Sequence, residues 1–357
     1  MMKRTFALLV VLALMAGMVF LCGCTSAPQK NETAAKETTA PVKADTTQAP
    51  AKAAQSGPKT VLNIGYQPST HQMAFMTAYS KGMYNESLSA AGIKEVKPFN
   101  FPTGAPEMQA MLAGDLDFAY TGSAPFVTAV ATGLDAKIIG AVQTQGSDLV
   151  LRNGLNYTKP SDLKGLKIAT FPAGTIQDTI LRTWLKEQGL DDTKDVEIVA
   201  MGPGDATTAI IAGKVDAAFL PAPSPTTVED AGAGKIIVHS GQMAPGHACC
   251  VLVASGDMIR NHPDIVQAVL SVHQNATEFN KKNSAEAAGY MASMTGMNAS
   301  TITRSLKEWD GEWVSDPEII TKSVAGYATE QQALGYIKKN VTEQDLFDTS
   351  FWKKITQ

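Results

Sequence analysis

One plan of strand, proline-bearing turn and helix is written twice in this chain, and the spacing of the two copies limits the folds open to it. Residues 64–72 read IGYQPSTHQ and residues 168–176 read IATFPAGTI, so at an offset of 104 Ile64 falls on Ile168, Pro68 on Pro172 and His71 on Thr175. Residues 108–117, MQAMLAGDLD, match residues 207–216, TTAIIAGKVD, at an offset of 99, with Asp117 on Asp216. Each of these two is a helix closed by glycine and followed by a short apolar strand, at 118–120 or 217–220, and a proline loop, at 121–125 or 221–225. Solenoid repeats recur every 20 to 50 residues or so. Copies this far apart suit two α/β lobes instead.

In open α/β sheets ligands bind outside the carboxyl ends of the strands, where the loops into helices lie. All four repeated loops hold that position, so facing lobes would bring them to one cleft. Strand patterns at 137–143 and 148–152 flank residues 144–147, a first crossover, and patterns at 235–239 and 248–254 flank 243–247, a second. Paired crossovers define an inserted lobe and a hinge. The expected division is residues 59–145 with 246–357 as one lobe and 146–245 as the other. After Ser255 the pattern is helical to the end, beginning with Ile265, Val266, Val269 and Leu270 behind Pro263.

Residues 1–4 are basic, 6–21 are apolar, and Leu21-Cys22-Gly23-Cys24 follows, the order of a secretory signal. Small residues ending in Cys24 look like a lipobox, which would make 1–24 a signal peptide and Cys24 the lipidated first residue of the mature chain. An uncleaved anchor is the other reading, because about 17 apolar residues just span a bilayer. Both place the body outside the cytoplasmic membrane. Residues 25–58 are almost entirely Thr, Ala, Lys, Gln, Pro, Ser and acidic residues, too polar to bury much, and read as a disordered tether. A net charge of −4 argues against nucleic acid as the main partner, and 44% hydrophobic residues suffice for real cores.

No G-x-S-x-G elbow, Walker loop, H-E-x-x-H or dinucleotide glycine pattern is present. The five histidines have no close ligand spacing and no C-x-x-C occurs, so neither metal nor cofactor is expected. Cys249 and Cys250 are adjacent, where a disulfide would be strained, and read as buried strand residues. Binding then falls to the loops. A turn entering a helix aims free backbone N–H groups and the positive helix end at one spot, which suits an anion. One helix end contributes about 0.3 to 1 kcal/mol when exposed, whereas micromolar binding needs about 8 kcal/mol. Several loops must therefore converge. They lack Lys and Arg, leaving backbone N–H groups, Gln67 and the hydroxyls of Ser69, Thr70, Ser123, Thr175 and Ser224 as donors. Such neutral donors suit a small oxyanion and also a polar neutral solute. His71, on a cleft loop, and His247, on a crossover, are either donors to an anion or structural.

The stretches IGYQPSTHQ (64–72), AGDLDFAYTGSAP (113–125), TQGSDLVLR (144–152), KIATFPAGTIQDTILRTWLKEQGL (167–190) and GKVDAAFLP (213–221) resemble the nitrate, sulfonate and taurine-type periplasmic solute-binding proteins of ABC importers. The resemblance covers about residues 60–285. It implies a type II periplasmic-binding-protein fold, closure of two lobes on a ligand, no catalysis, and delivery by a monomer to a membrane permease with its ATPase. By position it adds Gly122, Ala124, Ala173 and Gly174 to the ligand loops. Members take nitrate, bicarbonate, sulfonates, taurine, aromatic acids or thiamine-precursor pyrimidines. Many carry Glu-Pro-Trp where this chain has Pro221-Ala222-Pro223-Ser224-Pro225. A small oxyanion such as a sulfonate is the expected solute, and a neutral pyrimidine, bound or processed by an enzyme of the same fold, is the alternative.

Overall fold

The structure is a computed structural model and describes residues 58–356. The signal peptide, lipidation at Cys24 and all but the last residue of the tether lie outside the described residues. Eleven strands are present among those described: β1 Val61–Tyr66, β2 Glu95–Asn100, β3 Phe118–Gly122, β4 Ala136–Thr144, β5 Ser147–Arg152, β6 Lys167–Thr170, β7 Glu197–Ala200, β8 Ala217–Pro221, β9 Gly234–His239, β10 Ala248–Ser255 and β11 Glu312–Trp313. They form two sheets, ordered β11-β4-β10-β3-β1-β2 and β7-β6-β8-β5-β9.

The sequence repeat reappears as one topology built twice. In the first sheet β1 runs parallel to β2 and β3, and β10 pairs antiparallel with β3 and β4. In the second, β6 runs parallel to β7 and β8, and β5 pairs antiparallel with β8 and β9. Register agrees in detail: Ile64 pairs with Phe118 and Ile168 with Ala217, equivalent positions of the two copies. The repeated aspartates have equivalent tasks as well. Asp117 accepts the N–H of Asn63 (2.8 Å), and Asp216 accepts the N–H of Lys167 (3.0 Å), each tying its strand to the start of the neighbouring one. Carboxylate acceptors of this kind satisfy backbone donors that the ladder leaves free.

The antiparallel strand of each sheet is supplied from the far side of a crossover. Chain passes to the second sheet between Thr144 and Ser147, and returns between His239 and Ala248. Each sheet thus holds a strand delivered by the other, which makes two α/β lobes joined by two crossovers. Asp310 fastens both: its carboxylate accepts Gly146 N–H (2.8 Å) and Gly241 N–H (2.6 Å), and its carbonyl accepts Gln145 Nε2 (2.6 Å).

The largest core surrounds the first sheet, where Leu62, Ile64, Phe75, Phe118, Tyr120 and Phe126 are fully buried. Helix Pro263–Lys282 adds Ile265, Val266, Val269 and Leu270, the stripe its spacing predicts. The C-terminal region is not purely helical, however. Glu312 and Trp313 form β11, pairing with Thr144 and Gln143, and Trp313 Nε1 donates to Thr70 O (2.8 Å). Two residues are too short a run for a period to show, so only the tertiary pairing defines this strand. Strands β2 and β7 also escaped the pattern. Both are edge strands, and Pro98 within β2 is tolerated because an edge leaves one row of N–H positions unpaired.

Candidate functional site

Between the two sheets lies a cavity of about 520 Å³. Its walls are the loops at the carboxyl ends of the parallel strands of both lobes, the position open α/β sheets reserve for ligands. From the first lobe come Gln67, Ser69 and His71 after β1, Asn100 at the end of β2 with Pro102 and Gly104 beyond it, and Gly122 at the end of β3 with Pro125 beyond it. The second lobe contributes Phe171, Thr175 and Gln177 after β6, residues 202–205 after β7, and Pro221 at the end of β8 with Ser224 beyond it.

Four helices of nine residues or more begin at this wall, at Gly104, Ser123, Ile176 and Pro203, two from each lobe. Their free N–H groups and positive ends replace the cationic side chains that the cavity lacks, since no Lys or Arg lines it. Thr175 shows why the local sequence folds this way. Its extended backbone and hydroxyl cap Ile176–Glu187, accepting Asp178 N–H (3.4 Å), while the same hydroxyl donates to Pro172 O (2.7 Å). Gly174 before it has φ +82°, a left-handed turn that a side chain would strain.

Of the residues the sequence singled out, Gln67, Ser69, His71, Gly122, Thr175 and Ser224 line the cavity. The others are placed differently. Thr70 is fully buried and spends its hydroxyl and its N–H on Ala222 O of the opposite lobe (2.9 and 3.1 Å), bridging the cleft instead of facing it. Ser123 donates to Ala248 O (3.2 Å), and Ala124 is wholly packed in the core. Ala173 points to solvent, and Gly174 O accepts Gln331 Nε2 (3.0 Å). His247 lies at the second crossover against another cavity, next to Trp184 and Tyr327. Its Nδ1 meets Ala244 O at 2.8 Å, its Nε2 has no partner, and burial lowers its pKa to about 4, so it is neutral at pH 7.

Gln67 is held in position by Glu107, which is fully buried and accepts Gln67 Nε2 at 2.7 Å. Burial pushes that carboxyl well above the ordinary range, against the hydrogen bond from Gln67. Oε1 of Glu107 is buried and has no hydrogen-bond partner among the described residues.

The sequence reading missed the loops at Asn100–Gly104 and Gly202–Asp205, and it treated Cys249 and Cys250 only as strand residues. Both thiols are in the cavity wall, 2% and 5% exposed. Adjacent strand residues ordinarily face opposite sides of a sheet. Here β10 advances from Ala248 to Cys250 while β4 advances only from Thr144 to Gln143, a bulge that leaves Cys249 unpaired and turns both thiols to one side, their sulfurs 3.9 Å apart. His71 completes the group. Its Nε2 lies 2.7 Å from Gly146 O, which can only accept, so Nε2 carries the hydrogen and the Nδ1 lone pair faces Cys249 Sγ at 3.2 Å. The two thiols titrate as a pair: their mutual contact lowers Cys250 below an ordinary thiol and, with burial, raises Cys249 well above it.

A two-lobed α/β chain with its cavity at the strand carboxyl ends has the architecture of a type II periplasmic binding protein. The chain belongs to the NMT1-like family, whose profile matches residues 55–295. It is 27% identical over 300 residues to a putative aliphatic sulfonates-binding protein of Bacillus subtilis, covering 83% of this chain and 88% of that one. It is 28% identical over 170 residues to the taurine-binding periplasmic protein of Escherichia coli, covering 47% and 52% of the two. Among solved structures, the alkanesulfonate-binding protein of Xanthomonas axonopodis pv. citri bound to MOPS superposes with a TM-score of 0.72 at 19% identity, over 82% of this chain and 99% of that one. The periplasmic nitrate-binding protein of Synechocystis PCC 6803 gives 0.74 at 18% identity, over 84% and 88%.

Proposed function

We propose that this chain is the extracytoplasmic solute-binding component of an ABC importer and that its solute is an organic oxyanion of the sulfonate class. The observation that carries the reading is the interlobe cavity: four helix N-termini converge on it, and Pro102, Pro125, Phe171, Pro221 and Met297 supply apolar wall. A cavity of about 520 Å³ exceeds what a bare nitrate or bicarbonate needs and matches pockets that enclose a small organic molecule. Helix termini receive the charged head and the apolar wall receives the carbon chain. The sulfonate- and taurine-binding relatives support the same class.

In this reading Gln67, Ser69, His71, Gly122, Thr175 and Ser224 contact the solute, residues 59–145 with 246–357 and residues 146–245 close as two lobes, and a monomer delivers its load to permease and ATPase subunits. Lipid on Cys24 and the tether hold it at the outer face of the membrane. The binding relatives support capture without turnover, but one observation favours a second reading, an enzyme acting on a neutral pyrimidine-like solute: His71 and two thiols stand in the cavity wall.

A thermal-shift panel decides between them. Alkanesulfonates and taurine at about 100 times their dissociation constant should stabilise the chain by about 2.7 kcal/mol, with nitrate and bicarbonate weaker. A shift with a neutral heterocycle and with no anion would remove the oxyanion reading, and steady product formation would remove simple capture.

A further inference from the structure

The thiol and imidazole group in the cavity wall has the arrangement of a metal site, although the sequence spacing gives no hint of one. His71 and Cys249 are 178 residues apart and meet only because the β1 loop packs against the bulged start of β10. We propose that His71 Nδ1, Cys249 Sγ and Cys250 Sγ form a three-ligand site for Zn(II) on the first-lobe wall of the cavity.

Four observations support this. Zinc bound at about 2.3 Å to sulfur and about 2.0 to 2.1 Å to nitrogen in a tetrahedron sets its ligands about 3.8 Å apart for two sulfurs and about 3.6 Å for sulfur and nitrogen. The sulfurs are 3.9 Å apart and the imidazole nitrogen is 3.2 Å from Cys249 Sγ, each within about 0.4 Å of the separation a tetrahedral ion sets. All three ligand atoms lie within 4.8 Å of one another. The remaining imidazole nitrogen already donates to Gly146 O, the outer hydrogen bond that fixes the tautomer of zinc-ligating histidines. Finally, two thiolates neutralise a dication in a buried, largely apolar setting. This balance favours Zn(II) over Cu(I), which would leave a net negative charge there.

All three ligands line the cavity, so a bound ion keeps its fourth position for water or for a solute atom. Nothing in the proposal depends on which solute the cavity takes. On binding, each thiol releases its proton to solvent, and no electron is transferred.

The test uses the full-length chain, reduced, stripped with chelator and titrated with Co(II) as a spectroscopic stand-in. We expect one equivalent to bind with thiolate-to-cobalt charge-transfer absorption and the intense visible bands of a tetrahedral site, displaced by one equivalent of Zn(II). Cys249→Ser/Cys250→Ser should lose the charge-transfer band. His71→Asn, close to the same size and suited to keep the fold, should weaken Zn(II) binding at least 10-fold while retaining its circular dichroism. His247→Asn, outside the group, should bind as the parent does. The proposal is overturned if reduced protein with titratable thiols shows no such band, if the band survives in the double serine variant, or if the mass shows a Cys249–Cys250 disulfide re-forming in air with Zn(II) present.

Discussion

Glu107 shows how one buried carboxyl can carry both a site and a pH dependence. It fixes Gln67 at the cavity wall, and burial raises its pKa well above 4.5. The folded chain therefore binds more protons at Glu107 than the unfolded chain does once the pH exceeds 4.5, so stability falls as pH rises toward the folded value. Glu107→Gln keeps the acceptor for Gln67 and removes the titration. Its urea midpoint should match the parent below pH 4.5 and exceed it increasingly as the pH rises from there toward the folded value, with a slope of at most about 1.4 kcal/mol per pH unit. Parallel curves for the two proteins across that range would refute the role. The sequence reading passed over Glu107, because its setting depends on tertiary packing: it stands against Gly65 of β1, where an added Cβ would fall 2.7 Å from Glu107 Oε1.

The connections between lobes are where element-scale energetics concentrate. Asp310 accepts one N–H from each crossover, at Gly146 and Gly241, and so couples two segments distant in sequence. Hydrogen bonds to a charged acceptor contribute about 1.5 to 3 kcal/mol each. Asp310→Ala should therefore lower stability by about 2 to 4 kcal/mol in urea unfolding, with secondary structure retained; a loss below about 0.5 kcal/mol would show that the crossovers hold without it. The crossovers themselves were legible at residues 144–147 and 243–247, since strand patterns stop on both sides of each. Asp310 was not, because an aspartate in a polar loop carries no period.

Across the whole molecule, Thr70 links the lobes through Ala222 O, and Gly146 O receives both His71 Nε2 and Ala222 N–H (3.1 Å), so hinge, cleft and cavity wall share one hydrogen-bonded cluster. Thr70→Val deletes the hydroxyl bond alone, worth about 1 kcal/mol or about fivefold in an opening equilibrium. Amide exchange at Gly146 and Ala222 should quicken by about that factor, and unchanged exchange would mean the bridge does not hold the lobes together. Sequence by itself determined the α/β class, the doubled plan, its crossovers and the loops that meet, because strand and helix periods and glycine or proline turns are local properties of the backbone. Tertiary structure decided which of those loop residues face the cavity. Whether a side chain such as Thr70, Ser123 or His247 faces solute or is spent on a neighbour depends on packing between elements far apart in the chain. The same holds for His71, Cys249 and Cys250, where a one-residue bulge, invisible to any periodicity, turned two apparent core residues into cavity wall.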